Sequence, residues 1–368
     1  GRRIMHARRN GRRRCVRHQF HGVHMSSEPL VHPDGTYACV PLAKDEISLC
    51  VVQSRVRAVD VANRDASVKA NLDHMLGLID AANGWLGPKD IVFFHEFPIT
   101  GFNAGWKRAE LLKVAIEIPG PETEAIGARA KRYGCYVVFG SYARDPAWPN
   151  HILSITTIID PSGAVVGRHW KARNIKGLFG RFEVFTTTIY DVLDQYVEMY
   201  GRDEVVPVTR TPVGNLCTTS TQLEPEIIRA FALKGGEIML RTATGGFDDF
   251  DIRANARYNN MYTAIVNQAI SRDNPGSFED VRSGGSAIYG PNGELLGQAN
   301  SVNEGPVLAR IPIRAFRDKR RIPNVHAALY RDLHESYVEP YPPNLFSAYQ
   351  PTDGFDSARY LADKRRWK

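Results

Sequence analysis

The sequence has no run of 18 uncharged apolar residues, so no segment of it reads as a membrane-spanning helix. Cysteine is scarce: five in 368 residues, at positions 15, 39, 50, 135 and 217, never as a CxxC pair. An odd, scattered set argues against a disulfide scaffold or a structural zinc site and fits a reducing, cytoplasmic setting. Internal repeats and low-complexity tracts are also missing, which excludes a solenoid. Acidic residues are absent from the first 24 positions, where eight arginines (2, 3, 8, 9, 12, 13, 14 and 17) stand without Asp, Glu or Lys. Those eight exceed the whole net charge of +7, and the other 344 residues together carry −1. A near-neutral body makes nucleic-acid binding at most a side activity of the leader.

That leader, residues 1–24, has no apolar h-region and is therefore not a secretory signal. Three readings of it stay open: an Arg-rich organelle-targeting peptide, a translated stretch ahead of a start at Met25, or a basic arm touching RNA or anionic lipid. It is expected to be disordered and is set aside from the fold.

What is present is ordinary globular material, 43% hydrophobic and 24% charged, with 31 Gly and 22 Pro. The chain is long enough to bury a core without staples. The body alternates strand and helix signals. Strands are expected at Ile47–Val52, Ile91–Phe94, Tyr136–Gly140 and Ile152–Asp160, with a hairpin return at Ala164–Arg168. Further strands are expected at Glu237–Arg241, Thr263–Asn267, Ser286–Tyr289, Leu295–Gln298 and Val307–Ile313, and Val205–Val213 reads as extended. Helical spacing runs over Arg64–Asn83, from Pro119 to Tyr133, and over Pro225–Lys234 and Asp251–Asn260. Alternation with antiparallel hairpins points to layered α/β architecture with mixed sheets. From Arg314 the chain turns basic, then rich in Pro and Tyr, and reads as an extension that packs on something else.

Three polar residues end apolar runs. Glu96 follows Ile91-Val-Phe-Phe-His and precedes Phe97-Pro98. A carboxylate at a buried strand end is partly desolvated, which suits a general base, although by residue type alone a solvated loop carboxylate is commoner. Lys171 closes Gly167-Arg-His-Trp-Lys171, where an ammonium can hold a developing oxyanion; surface lysines are commoner. Cys217 lies near a strand end ahead of the helix start at Pro225-Glu226. There it is a candidate thiolate nucleophile, although buried cysteines acting as small hydrophobes are commoner.

The order carboxylate, lysine, cysteine, each at a strand end, resembles the nitrilase (carbon–nitrogen hydrolase) superfamily over roughly residues 47–313. Ile91-Val-Phe-Phe-His-Glu96-Phe-Pro-Ile-Thr-Gly101-Phe is similar to its first catalytic motif, and Gly167-Arg-His-Trp-Lys171 to its lysine motif. Ile118-Pro-Gly-Pro-Glu-Thr, Ala130-Lys-Arg-Tyr-Gly-Cys-Tyr-Val-Val-Phe-Gly140, the Pro225–Leu240 stretch and Gly284-Gly-Ser-Ala-Ile-Tyr-Gly-Pro-Asn-Gly293 resemble the intervening and closing elements. The resemblance implies a four-layer α-β-β-α sandwich that dimerises through helices. It also implies attack of a cysteine thiolate on an amide, nitrile or carbamoyl carbon. Glu96 would be general base and Lys171 the cation beside the tetrahedral intermediate, with no metal or organic cofactor. A second carboxylate usually follows the lysine, and Glu183 is the candidate.

The nucleophile segment departs from the family pattern. Counting back from Pro225 lands on Thr219, counting forward from Gly214 lands on Thr221, and Cys217 sits in neither register. Period-two alternation puts Cys217, Thr219 and Thr221 on one strand face, so a slipped or bulged strand still presents the thiol. Family members often carry glutamate where Tyr258 stands. Three readings follow: a thiol hydrolase using Cys217, a hydrolase using the hydroxyl of Thr219, Ser220 or Thr221, or a binding or regulatory module that keeps Glu96 and Lys171 without a nucleophile. The expectation is an enzyme with the Glu96–Lys171–Cys217 set, acting on a small-molecule substrate as a homodimer or larger assembly. Residues 25–313 form its domain, and 314–368 an extension at a subunit contact.

Overall fold

A computed structural model describes residues 32–85, 87–277 and 282–367. The basic leader with its Cys15 lies outside the described residues. The first half of the chain supplies strands β1 (Ile47–Gln53), β2 (Ile91–Phe94), β3 (Tyr136–Ala143), β4 (Leu153–Ile159) and β5 (Val165–Trp170). The second supplies β6 (Thr209–Thr211), β7 (Gly214–Thr219), β8 (Ile238–Thr242), β9 (Tyr262–Val266), β10 (Ala287–Tyr289), β11 (Leu295–Gln298) and β12 (Gly305–Ile311). Helices α1 (Arg64–Gly84), α2 (Arg108–Val114), α3 (Pro121–Tyr133), α4 (Leu193–Tyr200), α5 (Pro225–Leu233), α6 (Asp249–Asn259) and α7 (Ile313–Lys319) intervene or follow. The tail adds the short helices α8 (Arg331–Ser336), α9 (Leu345–Ala348) and α10 (Gly354–Ala362).

The strands form two six-stranded sheets, ordered β12-β1-β2-β3-β4-β5 and β11-β10-β9-β8-β7-β6. Within each, three parallel strands are flanked by antiparallel ones: β1, β2 and β3 in the first, β7, β8 and β9 in the second.

Alternation along the strands builds the layers. Leu49 and Val51 of β1, Phe93 of β2 and Val138 of β3 pack between the sheets against Leu216, Leu240, Ala264 and Ile288. Their neighbours Cys50, Val52, Phe94 and Phe139 turn outward onto α1 and α3, through Val68, Met75, Ile79, Ile126 and Ala130. On the opposite side, Cys217 and Met239 meet Ile228, Phe231 and Ala232 of α5, while Ile265 and Ala287 meet Ile252 and Ala256 of α6. The result is the expected α-β-β-α sandwich.

Local chemistry sets the helix limits. Pro121 opens α3 where its missing N–H costs nothing, and Gly134, at φ 63°, ends it in the left-handed region. The expected elements appear within a few residues of their sequence limits. The exception is Val205–Val213, reduced to the three-residue β6 after a 3-10 turn at Arg202–Val205.

The described part of the C-terminal extension folds back on its own chain. Leu345, Phe346, Tyr360 and Leu361 enter the same core as α1 and α3. The Gly354 carbonyl accepts from Glu183 N, and the Thr352 carbonyl from Arg108 N.

Candidate active site

The two sheets meet at the carboxyl ends of β2 and β7, where an α/β layout commonly places ligands. Glu96 lies two residues beyond β2, and Thr219 is the last residue of β7. Glu96 is pressed into place by the neighbouring strand: a Cβ on Gly140 would stand 2.5 Å from Glu96 Cα. Lys171 follows β5, with its N–H donating to the Ser154 carbonyl at 2.8 Å and its own carbonyl accepting from Ile189 N at 3.1 Å. Pinned this way, Lys171 Nζ comes within 3.8 Å of Glu96 Oε1, two charged groups from just beyond different strands sharing one small space.

That space is a cavity of about 10 Å³, room for one water-sized group. Its wall includes Glu96, Gly140, Ser154, Thr156, His169 and Lys171 from the first half of the chain, and Thr218, Thr219, Ser220 and Thr242 from the second. The far wall is thus supplied by the end of β7, the residue just past it and the end of β8. Thr219 Oγ1 accepts from Thr221 N at 3.1 Å, while Ser220 Oγ is buried with no hydrogen-bond partner.

His169 ties the two halves together, its Nδ1 3.1 Å from Thr218 Oγ1 and its Nε2 2.9 Å from Thr209 Oγ1. Burial pushes its pKa down to about 3, so the ring is neutral at ordinary pH. Burial, helped by the Glu96 charge, raises the Tyr142 hydroxyl well above the usual phenol range and keeps it protonated. Neither residue was anticipated. His169 stands two residues before Lys171 and therefore on the same strand face, which is the periodicity signal that would have found it.

Cys217 is not in this cavity. The β7–β8 pairing runs without a bulge through Leu216↔Ile238, Cys217↔Met239, Thr218↔Leu240 and Thr219↔Arg241. In that register Cys217 faces α5, fully buried with Ile228, Phe231, Ala232, Met239 and Met261. Its Sγ lies 3.6 Å from the Ile238 carbonyl, and burial pushes the thiol far above its usual pKa. The slip or bulge that would present the thiol is absent, because regular pairing and a tight apolar pocket hold the residue on the helix side.

The other candidates fall outside the cavity too. Glu183 is buried on the loop after β5, its Oε1 accepting from Gly177 N at 2.7 Å and its Oε2 without a partner. Burial raises its pKa, with the Gly177 hydrogen bond and the Lys176 charge opposing. The Thr221 hydroxyl is buried without a partner and does not line the cavity. Tyr258 is 61% exposed on α6. Among the described residues, no group of three or more His, Cys, Asp or Glu is placed to hold a metal ion, and no helix is long and apolar enough to cross a membrane.

Comparison with known proteins agrees with this layout. The carbon–nitrogen hydrolase family model matches residues 55–321. A probable nitrilase of Schizosaccharomyces pombe is 21% identical over 265 residues, covering 70% of this chain and 88% of that protein. A bifunctional nitrilase/nitrile hydratase of Lupinus angustifolius is 26% identical over 221 residues, covering 54% of this chain but only 57% of its own length. Among solved structures, an amidase from Nesterenkonia sp. AN1 in complex with acrylamide superposes with a TM-score of 0.55 at 17% identity, covering 80% of this chain and all of that one. The solved structure agrees in fold, the family model spans well over half of the chain, and the protein belongs to the carbon–nitrogen hydrolase family.

Proposed function

We propose that this protein hydrolyses the carbon–nitrogen bond of a small amide, nitrile or carbamoyl compound at the Glu96–Lys171 pair, in a cavity that has to widen from its one-water size to admit the substrate. In this reading a hydroxyl from the end of β7, Thr219 or Ser220, takes the place of a thiol. The observation that carries it is the composition of the cavity: Glu96 and Lys171 are 3.8 Å apart, Thr219 and Ser220 form the facing wall, and Cys217 is sealed beneath α5.

For an amide the chemistry runs as follows. Glu96 takes the hydroxyl proton as the oxygen attacks the carbonyl carbon, and Lys171 holds the negative charge that develops on the carbonyl oxygen. The carbon–nitrogen bond then breaks, with the proton passing from Glu96 to the leaving nitrogen. Water, deprotonated by Glu96, attacks the ester that remains, releases the acid and restores the hydroxyl. Hydroxyls are weak nucleophiles at neutral pH, so the base has to lie close to the attacking oxygen.

The test is ammonia release from a panel of short amides, nitriles and carbamoyl compounds, with wild type compared with Glu96→Gln, Ser220→Ala, Thr219→Val and Cys217→Ala. The expected result is release by wild type and Cys217→Ala alike, with loss in Glu96→Gln and in one of the two hydroxyl variants. Loss confined to Cys217→Ala would return the nucleophile to the thiol. No release by correctly folded wild type would leave a binding or regulatory module.

A further inference from the structure

The Glu96 backbone is held by a histidine that the reaction does not use. His95 is fully buried, and its ring joins the turn around Glu96 to the chain just beyond β1. Phe97 N donates to His95 Nδ1 at 3.1 Å, so that nitrogen is an acceptor and carries no proton. The ring proton therefore sits on Nε2, which donates to Ser54 Oγ at 2.9 Å. The His95 carbonyl accepts from Gly140 N at 3.0 Å, beside the point where a Gly140 Cβ would strike Glu96. The peptide links on both sides of Glu96 are thus fixed from two directions, by β3 and by this ring.

We propose that His95, as the neutral Nε2–H tautomer, is a positioning residue for Glu96, aiming its carboxylate by holding the Phe97 N–H. The inference rests on the reading of Glu96 as the base. A protonated ring would carry hydrogen on both nitrogens and lose the Phe97 bond. Burial lowers the His95 pKa to about 4, while Glu304 and the backbone at Ser54 and Arg55 pull the other way. The charged group acting on it is Glu304, which is itself paired with His74 at 2.9 Å and Arg55 at 4.0 Å. The tautomer is therefore expected to persist from pH 5 to 8.

Two measurements test this on the full chain. Nitrogen-15 NMR of the His95 ring should show an unprotonated Nδ1 and a protonated Nε2 across that pH range. A proton on Nδ1, or titration near the ordinary histidine value, would overturn the assignment without reference to any substrate. In kinetics, His95→Ala should lower kcat about 10- to 100-fold with little change in KM, since misplacement of about 1 Å costs on that scale. His95→Asn, whose Oδ1 can accept from Phe97 N, should restore most of kcat, a rescue that a purely structural role would not give. If Glu96→Gln abolishes turnover and His95→Ala does not lower it, the His95 inference fails alone. Should Glu96→Gln turn over normally, the base reading fails and the inference with it. If His95→Ala does not fold, the Asn variant and the ring NMR still decide.

Discussion

A cysteine serves as a nucleophile only when its sulfur can reach the substrate and shed its proton, and Cys217 is denied both. Its thiol is sealed against α5 and pushed to high pKa by the same apolar contacts. Among the cysteines of the described residues, iodoacetamide on the folded protein should therefore label the exposed Cys39 and reach Cys50, Cys135 and Cys217 only after unfolding, as read by peptide mass mapping. Glu96 and Lys171 carry the opposite expectation. Removing a positioned base costs about 10²- to 10⁴-fold in rate, so Glu96→Gln should lower kcat by that order, and Lys171→Met by a similar one, with the fold intact by circular dichroism. Both residues were legible in the sequence because each ends an apolar strand run that fixes its place. The face that β7 turns to the cavity was not. Alternation says which residues of β7 share a face, but it cannot say which face meets a helix, and the counts from Gly214 and Pro225 disagree by two.

At the scale of elements, the turn after β7 is held by two arginines. Arg241, buried on β8, donates from Nη2 to the Thr221 carbonyl at 2.5 Å and pairs with Asp251 of α6 at 2.7 Å. Arg173 reaches across from the loop after β5 to the Gln222 carbonyl at 3.0 Å and pairs with Glu224. Between them Leu223 adopts a φ of 56°, in the left-handed region. Arg241→Met would leave Asp251 buried without its cation, a change that costs about 3–5 kcal/mol, measurable as a shift in the urea midpoint. The tail gives a second expectation. Ending the chain after Arg321 would remove Leu345, Phe346, Tyr360 and Leu361 from the core. At about 1.5–3 kcal/mol for each large side chain, that loss rivals the stability of a whole domain, so the shortened protein should fail to fold cooperatively. The sequence showed the central strands and long helices because their apolar periods are strong. The short helices α2, α4 and α8–α10 escaped it, since four to nine residues hold too little of a helical period to stand out.

Across the whole molecule, buried neutral histidines make stability fall with acid. Burial holds His95 and His151 down to about 4 and His169 to about 3, against an ordinary value of about 6.5. The unfolded chain therefore binds protons at these sites between about pH 6.5 and pH 4, where the folded chain does not. Their contribution to stability is full above that window and is lost as pH falls through it, at up to about 4 kcal/mol per pH unit for the three together. Urea unfolding at pH 7.5, 6 and 5 should show this decline, and His169→Gln should flatten it.

The central claim, carbon–nitrogen hydrolysis at Glu96 and Lys171 by a strand-end hydroxyl, is tested most directly by trapping the acyl intermediate. Wild type and Cys217→Ala would each be mixed with a turned-over amide, quenched in acid and mapped by mass spectrometry. The account predicts the same added mass on both proteins, located on the peptide that carries Thr219 and Ser220. An adduct on Cys217, lost in the alanine variant, would contradict it.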